Sequence, residues 1–410
     1  MKVVIVNTSA DKGGAAVAAS RLMHALQANG LECNMLVRES RKTNSAIQIF
    51  TTDYFRIKWN QFVFLLELLL LRIFKRSGKE FSLASFGPNL AKHPLLLEAD
   101  VINIHWTQNA FLSLQDLSAI QQLGKPIAWT LHDMWAITGG CHYNEGCRKF
   151  ETECTACPLL KNNALTNISK TQFQTKLKTY KSSTHFISPS KWLANETSKS
   201  ALTKNNPVSV IPNTLDLSEF HLIDSAAAKA YFGINPKKRI ILFVSMSMND
   251  QRKGFSYFES TILELEKNDK EWKNQYEILA IGRKAAAPKF ATTIHYTGRI
   301  NDAKSMANAY AAADVFVTPA QQDNLPNTVL ESLACGTPVV AFNIGGMPDM
   351  ISHLKNGYLA KFQDVQDLQK GILYCLNHDL RANTRSAVLE MVDAKNVAEQ
   401  YISVFQNLCK

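Results

Sequence analysis

The residues best suited to chemistry lie in one stretch of loop and helix. From Pro319 the chain runs Pro319-Ala320-Gln321-Gln322-Asp323-Asn324-Leu325-Pro326-Asn327-Thr328-Val329-Leu330-Glu331, then continues to Gly336-Thr337-Pro338-Val339-Val340. An apolar strand pattern ends at Thr318. Pro326 suits the opening of a helix, because its missing N–H and fixed φ cost nothing there. The amides of Asn327 and Thr328 then stand at the helix start, where unpaired N–H groups and the helix dipole favour a phosphate. Asp323 lies in the loop and Glu331 eight residues further along. Carboxylates in these places can accept hydrogen bonds from sugar hydroxyls.

Two more loops read the same way. Asp250-Gln251-Arg252-Lys253-Gly254 follows an apolar run ending at Val244. An Arg that grips two phosphate oxygens, beside a compact Lys charge and a glycine, suits a diphosphate. Near the start, Thr8-Ser9-Ala10-Asp11-Lys12-Gly13-Gly14 joins a strand to a helix. Paired glycines let the backbone approach a ligand closely, and the free amides that follow favour an anion. The spacing departs from Gly-x-Gly-x-x-Gly, so a nicotinamide cofactor is not indicated. Four of the eight cysteines fall together as Cys141-x5-Cys147-x6-Cys154-x2-Cys157. Four such thiols could bind one structural zinc, with free thiols and two disulfides as the other readings. Four thiolates would leave that metal no open position for catalysis.

Short apolar strands alternating with amphipathic helices must position these loops, which implies parallel sheets covered on both faces. Strand patterns fall near residues 3–7, 33–37, 101–105, 127–131, 185–188 and 208–211. A second set lies near 240–244, 277–281, 294–296, 315–318 and 339–342. At 410 residues, two domains are the default. The expectation is an α/β chain of two Rossmann-like, doubly wound domains facing a central cleft. Residues 1–213 form one domain and 214–393 the other, and a helix in 394–410 packs back on the first. Ligands in such sheets bind at the carboxyl ends of the strands.

Charge and hydropathy add a surface. Residues 1–213 hold 24 Lys+Arg against 14 Asp+Glu, while residues 214–410 hold 21 of each. The whole net charge of +10 therefore sits in the first half. In that half, Phe62-Val63-Phe64-Leu65-Leu66-Glu67-Leu68-Leu69-Leu70-Leu71 leads into Arg72, Lys75, Arg76 and Lys79. A spanning helix needs roughly 20 apolar residues. A shorter one with a basic flank can lie in the plane of an anionic membrane surface. The bland reading is a core helix with a basic end. Nothing at the start looks like a signal peptide, so the expected setting is cytoplasmic, peripheral to the inner face of the plasma membrane.

The stretch from Asp323 to Glu331 resembles the Glu-x7-Glu motif of glycosyltransferase family 4, retaining enzymes of the GT-B architecture. The likeness extends to Gly13-Gly14, Thr130-Leu131-His132-Asp133, Ile211-Pro212-Asn213, Arg252-Lys253-Gly254, Tyr296-Thr297-Gly298-Arg299 and Gly345-Gly346. Within that family, Thr138-Gly139-Gly140-Cys141-His142-Tyr143 resembles the colanic-acid and exopolysaccharide enzymes. The resemblance implies roles. Glu331 binds the donor ribose, and Asp323 contacts the donor sugar. Arg252 and Lys253 hold the diphosphate, which Gly13 and Gly14 approach from the other domain. Gly298, Arg299 and Ile300 border the base, and His132 sits at the reacting sugar.

It further implies transfer from a UDP- or GDP-linked sugar to a growing, lipid-linked glycan. None of the 17 aspartates forms the Asp-x-Asp pair by which glycosyltransferases of the other common architecture hold a metal, so no catalytic cofactor is expected. Two departures stand out: Asp323 replaces the first Glu, and Ser247 stands where a second cation is usual. A catalytically silent scaffold of the same fold is the main rival. A basic nucleic-acid-binding module is the other, but no recognisable nucleic-acid motif appears, so no nucleic-acid partner is expected.

Overall fold

An apolar run without polar alternation, such as Val3-Val4-Ile5-Val6, must be covered on both faces, as a strand inside a parallel sheet is. The computed structural model describes residues 1–41, 44–76, 80–161, 167–284 and 287–410, and these four side chains are fully buried or nearly so. The chain divides into two units, Met1–Thr214 with Ala394–Lys410, and Leu215–Asp393.

The first unit is built on β1 (Lys2–Ser9), β2 (Glu32–Glu39), β3 (Ile47–Ile49), β4 (Val101–Ile104), β5 (Ile127–Thr130), β6 (His185–Ser188) and β7 (Val208–Val210). They pair in the order β3-β2-β1-β4-β5-β6-β7, every pair parallel. The second unit holds β8 (Arg239–Ser247), β9 (Tyr276–Arg283), β10 (Ile294–Gly298), β11 (Val315–Thr318), β12 (Val339–Phe342) and β13 (Gly357–Ala360). Their order is β10-β9-β8-β11-β12-β13, again all parallel. Each sheet is doubly wound. Its winding reverses beside its first strand, between β1 and β4 and between β8 and β11. The carboxyl ends of the strands beside such a reversal are where ligands bind in open α/β sheets.

The sequence patterns anticipate eleven of these strands and miss β3 and β13. Both missed strands lie at sheet edges. Ile47-Gln48-Ile49 is largely exposed, and Gly357-Tyr358-Leu359-Ala360 has weak strand-forming residues at both ends. The C-terminal helix Ala394–Leu408 buries Val397, Ala398, Tyr401 and Phe405 in the cluster that holds Ala19, Leu22, Met23 and Leu26 of the first helix, Gly14–Ala28.

The apolar run falls in a 21-residue helix, Tyr54–Phe74, started by the Asp53 carboxylate accepting from the Arg56 amide. Lys79 lies outside the described residues. Only Asn60, Val63, Glu67 and Leu71 of this helix are buried. Among them Glu67 is 2% exposed, and its Oε2 finds no hydrogen-bond partner. Burial pushes its carboxyl up to about 7, against the opposing pull of the Leu83 amide and the Arg38 charge.

A buried acid whose pKa is raised stabilises the fold only while it stays protonated. The unfolded chain ionises first, so this contribution is lost as pH rises from about 4.5 to about 7. Glu67→Gln should therefore match the wild type in thermal unfolding at pH 4.5. It should be the more stable protein at pH 8, by on the order of 1–3 kcal/mol. A difference between the two that stays constant with pH would rule out ionisation of Glu67 as the cause.

Candidate functional site

At the β8/β11 switch point of the second unit, the two loops singled out by sequence meet. Lys253 Nζ stands 2.6 Å from Asp323 Oδ2, and Arg252 Nη1 stands 3.4 Å from the same oxygen. Arg252 also donates to the Gln322 carbonyl at 3.1 Å, and the Asn324 amide donates to Asp323 Oδ1 at 3.0 Å. Burial alone would raise the pKa of Asp323. The charges of Lys253 and Arg252, with the hydrogen bonds from Lys253 and the Asn324 amide, outweigh it and hold the carboxyl below its ordinary range. The loops are also tied through backbone, since the Gln321 amide donates to the Arg252 carbonyl at 2.7 Å. Gly254 makes this approach possible. It has φ +74°, and a Cβ there would stand 1.9 Å from the Pro319 carbonyl oxygen.

The helix Asn327–Ala334 begins one residue past Pro326, which is its N-cap and supplies no side-chain hydrogen bond. Asn327 and Thr328 therefore occupy its first turn. Glu331 is 6% exposed, and its Oε2 accepts from the Tyr310 hydroxyl at 2.8 Å. Gly298 ends β10 with φ +71°, Arg299 follows exposed, and Ile300 packs on the cluster that includes Leu325 and Val329. The second unit thus joins Arg252, Lys253 and Asp323 directly and sets Glu331 on the helix that Asn327 opens.

In the first unit, Gly13 has φ +91° and precedes the helix Gly14–Ala28. A Cβ at Gly14 would meet nothing within 4 Å. The β1 loop is tied across the switch point to the loop after β4. The Thr8 amide donates to the Trp106 carbonyl at 2.8 Å, and Asn7 Oδ1 accepts from the Trp106 amide at 2.9 Å. His132 follows β5. Its Nε2 lies 2.9 Å from His105 Nδ1, and it lines a small cavity with Leu22, His105, Asn213 and Tyr401. The next residue, Asp133, accepts from Trp106 Nε1 at 2.9 Å and from the Trp135 amide at 2.8 Å, and pairs with His142 Nδ1 at 2.6 Å. Sequence reading missed Tyr310, His105, Trp106 and Tyr401. Each arrives from an element remote in sequence, so no spacing signalled it.

The four clustered cysteines are free thiols that line one cavity with Phe81, Phe150 and Leu159. Spacing left a structural zinc, free thiols or two disulfides open here. Among the described residues, no set of three or more His, Cys, Asp or Glu side chains is grouped as a metal site. The thiols share that cavity, and burial is the largest influence on three of them. Burial pushes Cys154 up to about 12 and raises Cys141 and Cys157 as well, which favours the neutral thiol wherever no cation stands beside it.

Comparison with known proteins converges on one chemistry. A family model described as "Glycosyltransferase Family 4" matches residues 12–219, and one described as "Glycosyl transferases group 1" matches residues 238–378. The chain is 22% identical over 335 residues to the putative colanic acid biosynthesis glycosyl transferase WcaC of Escherichia coli (strain K12), covering 77% of each. It is 25% identical over 185 residues to a Campylobacter jejuni N,N'-diacetylbacillosaminyl-diphospho-undecaprenol alpha-1,3-N-acetylgalactosaminyltransferase, covering 42% of this chain and 46% of the relative. Among solved structures, Anabaena HepE in complex with UDP-glucose superposes with a TM-score of 0.64 at 13% identity, over 99% of this chain and 100% of that one. WaaG, a glycosyltransferase involved in lipopolysaccharide biosynthesis, gives 0.63 at 13%, over 98% and 99%. At these identities the structures speak for the fold, which is GT-B.

The two loop glycines should respond differently to a methyl group. Gly254→Ala meets the Pro319 carbonyl at a left-handed φ and should destabilise the chain by about 1–3 kcal/mol. Gly14→Ala enters open space at a helix start and should leave the melting temperature unchanged or slightly higher. Equal losses in thermal unfolding would contradict this account of the two loops.

Proposed function

This chain belongs to glycosyltransferase family 4, and from that premise we propose that it is a retaining enzyme. It moves a sugar from a UDP- or GDP-linked donor to a growing, lipid-linked glycan in exopolysaccharide, capsule or lipopolysaccharide synthesis. The observation that carries this reading is the cluster at the β8/β11 switch point. Two cations and a buried carboxylate meet there, and the helix Asn327–Ala334 starts four residues past that carboxylate. Arg252, Lys253 and the amides of Asn327 and Thr328 take the diphosphate. Glu331, steadied by Tyr310, takes the ribose hydroxyls, and Asp323 a donor-sugar hydroxyl. Gly298, Arg299 and Ile300 border the base. In the first unit, Gly13 and Gly14 are assigned to close approach of the phosphate and His132 to the reacting sugar.

The chemistry follows from charge. The bond from the anomeric carbon to the diphosphate oxygen breaks, leaving an oxocarbenium-like sugar. The acceptor hydroxyl attacks from the same face, and the departing phosphate oxygen takes its proton. Negative charge grows on the leaving group, where fixed amides and cations stabilise it most. No divalent metal is required. Asp323 holds the two cations meanwhile, so they stay in place until a phosphate competes for them. A HepE structure holds UDP-glucose, and the Campylobacter relative is named for an undecaprenol-linked acceptor. Both favour this donor and acceptor class.

The acceptor's lipid also gives the helix Tyr54–Phe74 a purpose. Phe55, Trp59, Phe62, Leu66, Leu69 and Ile73 recur at three- and four-residue spacing, and all are exposed, Phe55 at 81% and Trp59 at 67%. The helix has one acidic residue, the buried Glu67, while Arg56, Lys58 and Arg72 are exposed. Among the described residues no helix is long and apolar enough to cross a membrane. An apolar stripe edged only by positive charge suits the plane of an anionic bilayer surface.

Thermal-shift titration with UDP- and GDP-sugars tests the donor assignment, since a ligand specific for the folded state raises apparent stability. Glu331→Gln keeps an acceptor for Tyr310 and should weaken donor binding about 5- to 150-fold, the loss of a charged hydrogen-bond partner worth ~1–3 kcal/mol. Shift and turnover should both persist in EDTA. A folded Glu331→Gln protein with wild-type donor affinity would remove the ribose role.

For the membrane, reversible binding to anionic vesicles should exceed binding to neutral ones and weaken with salt. Each basic side chain near the surface contributes about 1 kcal/mol. Reversing Arg72, Lys75 and Arg76 to Glu should release the protein while sparing turnover of a short soluble acceptor. Equal binding to both vesicle types, or to neither, would exclude this surface.

A further inference from the structure

A line of buried polar side chains crosses the first unit from the C-terminal helix to His132. The Tyr401 hydroxyl lies 3.3 Å from Thr130 Oγ1, and Thr130 donates to Asn103 Oδ1 at 3.0 Å. Asn103 Nδ2 stands 3.0 Å from His105 Nε2, and His105 Nδ1 stands 2.9 Å from His132 Nε2. Tyr401, Thr130, Asn103 and His105 are all buried, none more than 3% exposed. In so dry a place each polar hydrogen needs an acceptor, and the network must be mutually consistent.

That requirement orders the protons. The single O–H of Thr130 is engaged by Asn103, so Tyr401 is the donor in their contact. The Asn103 oxygen is engaged by Thr130, so the amide turns an N–H to His105, whose Nε2 must accept. A neutral imidazole has one donor nitrogen and one acceptor. His105 therefore carries its proton on Nδ1 and gives it to His132. His132 accepts at Nε2, which leaves its own proton on Nδ1.

Both rings are held neutral. Burial pushes His132 down to about 4 and holds His105 well below its ordinary range, and a charge on either ring would repel one on the other, 5.2 Å away between centroids. Asp133 pulls His132 the other way, but Trp106, Trp135 and His142 already engage its carboxylate.

We propose that Tyr401, Thr130, Asn103 and His105 are positioning residues that lock His132 as a neutral imidazole protonated on Nδ1. The ring can then donate only from Nδ1, and it brings no positive charge to a ligand sugar that itself becomes cationic. That the ligand is the donor sugar rests on the function proposed above; the tautomer does not. The relay also gives the C-terminal helix a part in the site, since Tyr401 starts the series.

Nitrogen-15 histidine NMR of the full chain reads the tautomer directly. The wild type should show His132 neutral at pH 7 with its proton on Nδ1. Asn103→Asp reverses the series. Its carboxylate accepts from His105 Nε2–H, His105 Nδ1 becomes the acceptor, and the His132 proton moves to Nε2. His105→Asn, whose amide keeps a donor near the position of Nδ1, should retain the wild-type signature.

Where nucleotide-sugar turnover is measured, Asn103→Asp should lower kcat/KM about 5- to 100-fold, the range of one misdirected hydrogen bond. A wild-type His132 that is protonated on Nε2 or doubly protonated overturns the proposal, even if Asn103→Asp does not fold. So does a folded Asn103→Asp protein with the tautomer unchanged. A confirmed tautomer in a protein without turnover leaves the lock standing and removes the glycosyl-transfer reading alone.

Discussion

Parallel pairing constrains everything else in this protein. A strand that runs beside its neighbour in the same direction must return by a crossover, so every strand of a sheet ends at one edge. Both sheets here are wholly parallel, and in each the winding reverses beside the first strand. The loops after β1 and β4, and those after β8 and β11, therefore stand side by side there and are hydrogen-bonded to each other. Gly13-Gly14, Arg252-Lys253 and Asp323 all lie on such loops. Their place follows from sheet topology before any side-chain contact is considered.

Within that frame, the second unit depends on a balance of charge. A carboxylate as buried as Asp323 would ordinarily be costly. Lys253 at 2.6 Å and Arg252 at 3.4 Å offset that cost and are themselves held in place by it. The cluster is preformed, with its cations already partnered. On the function proposed, a diphosphate would replace one anion by another, with little reorganisation on binding. Gly254 and Gly345 serve the same arrangement, because a Cβ at either would strike the backbone of the facing loop, at Pro319 and Asp323 respectively.

The first unit solves a different problem by removing charge. His132 and His105 are neutral, while Asp133, adjacent in sequence, stays ionised among three donors. Adjacent residues at the end of β5 thus carry opposite electrostatic characters because each is supported by a different set of partners. The same unit leaves a row of aromatic and aliphatic side chains on the helix Tyr54–Phe74 in water. A patch of this size is unfavourable for an isolated protein and is kept where something covers it.

Much of this was legible in sequence. Apolar runs without alternation marked nearly all the strands, and the order of strand and helix fixed the parallel α/β class. Loops rich in glycine, cations and carboxylates marked the site, because those signals are local and their physics acts within a few residues. The edge strands β3 and β13 were not legible, since half-exposed strands need little apolar character.

Nor was the meeting of Arg252 and Lys253 with Asp323, seventy residues away, or of Glu331 with Tyr310 and His132 with His105. Four closely spaced cysteines left zinc, free thiols and disulfides open in sequence, and the fold brings all four to the wall of one cavity. The sequence by itself determined which residue types would stand at the strand ends. Only the tertiary structure decided which of them touch and what charge each carries, because burial and partners from distant strands set those properties and no local spacing encodes them.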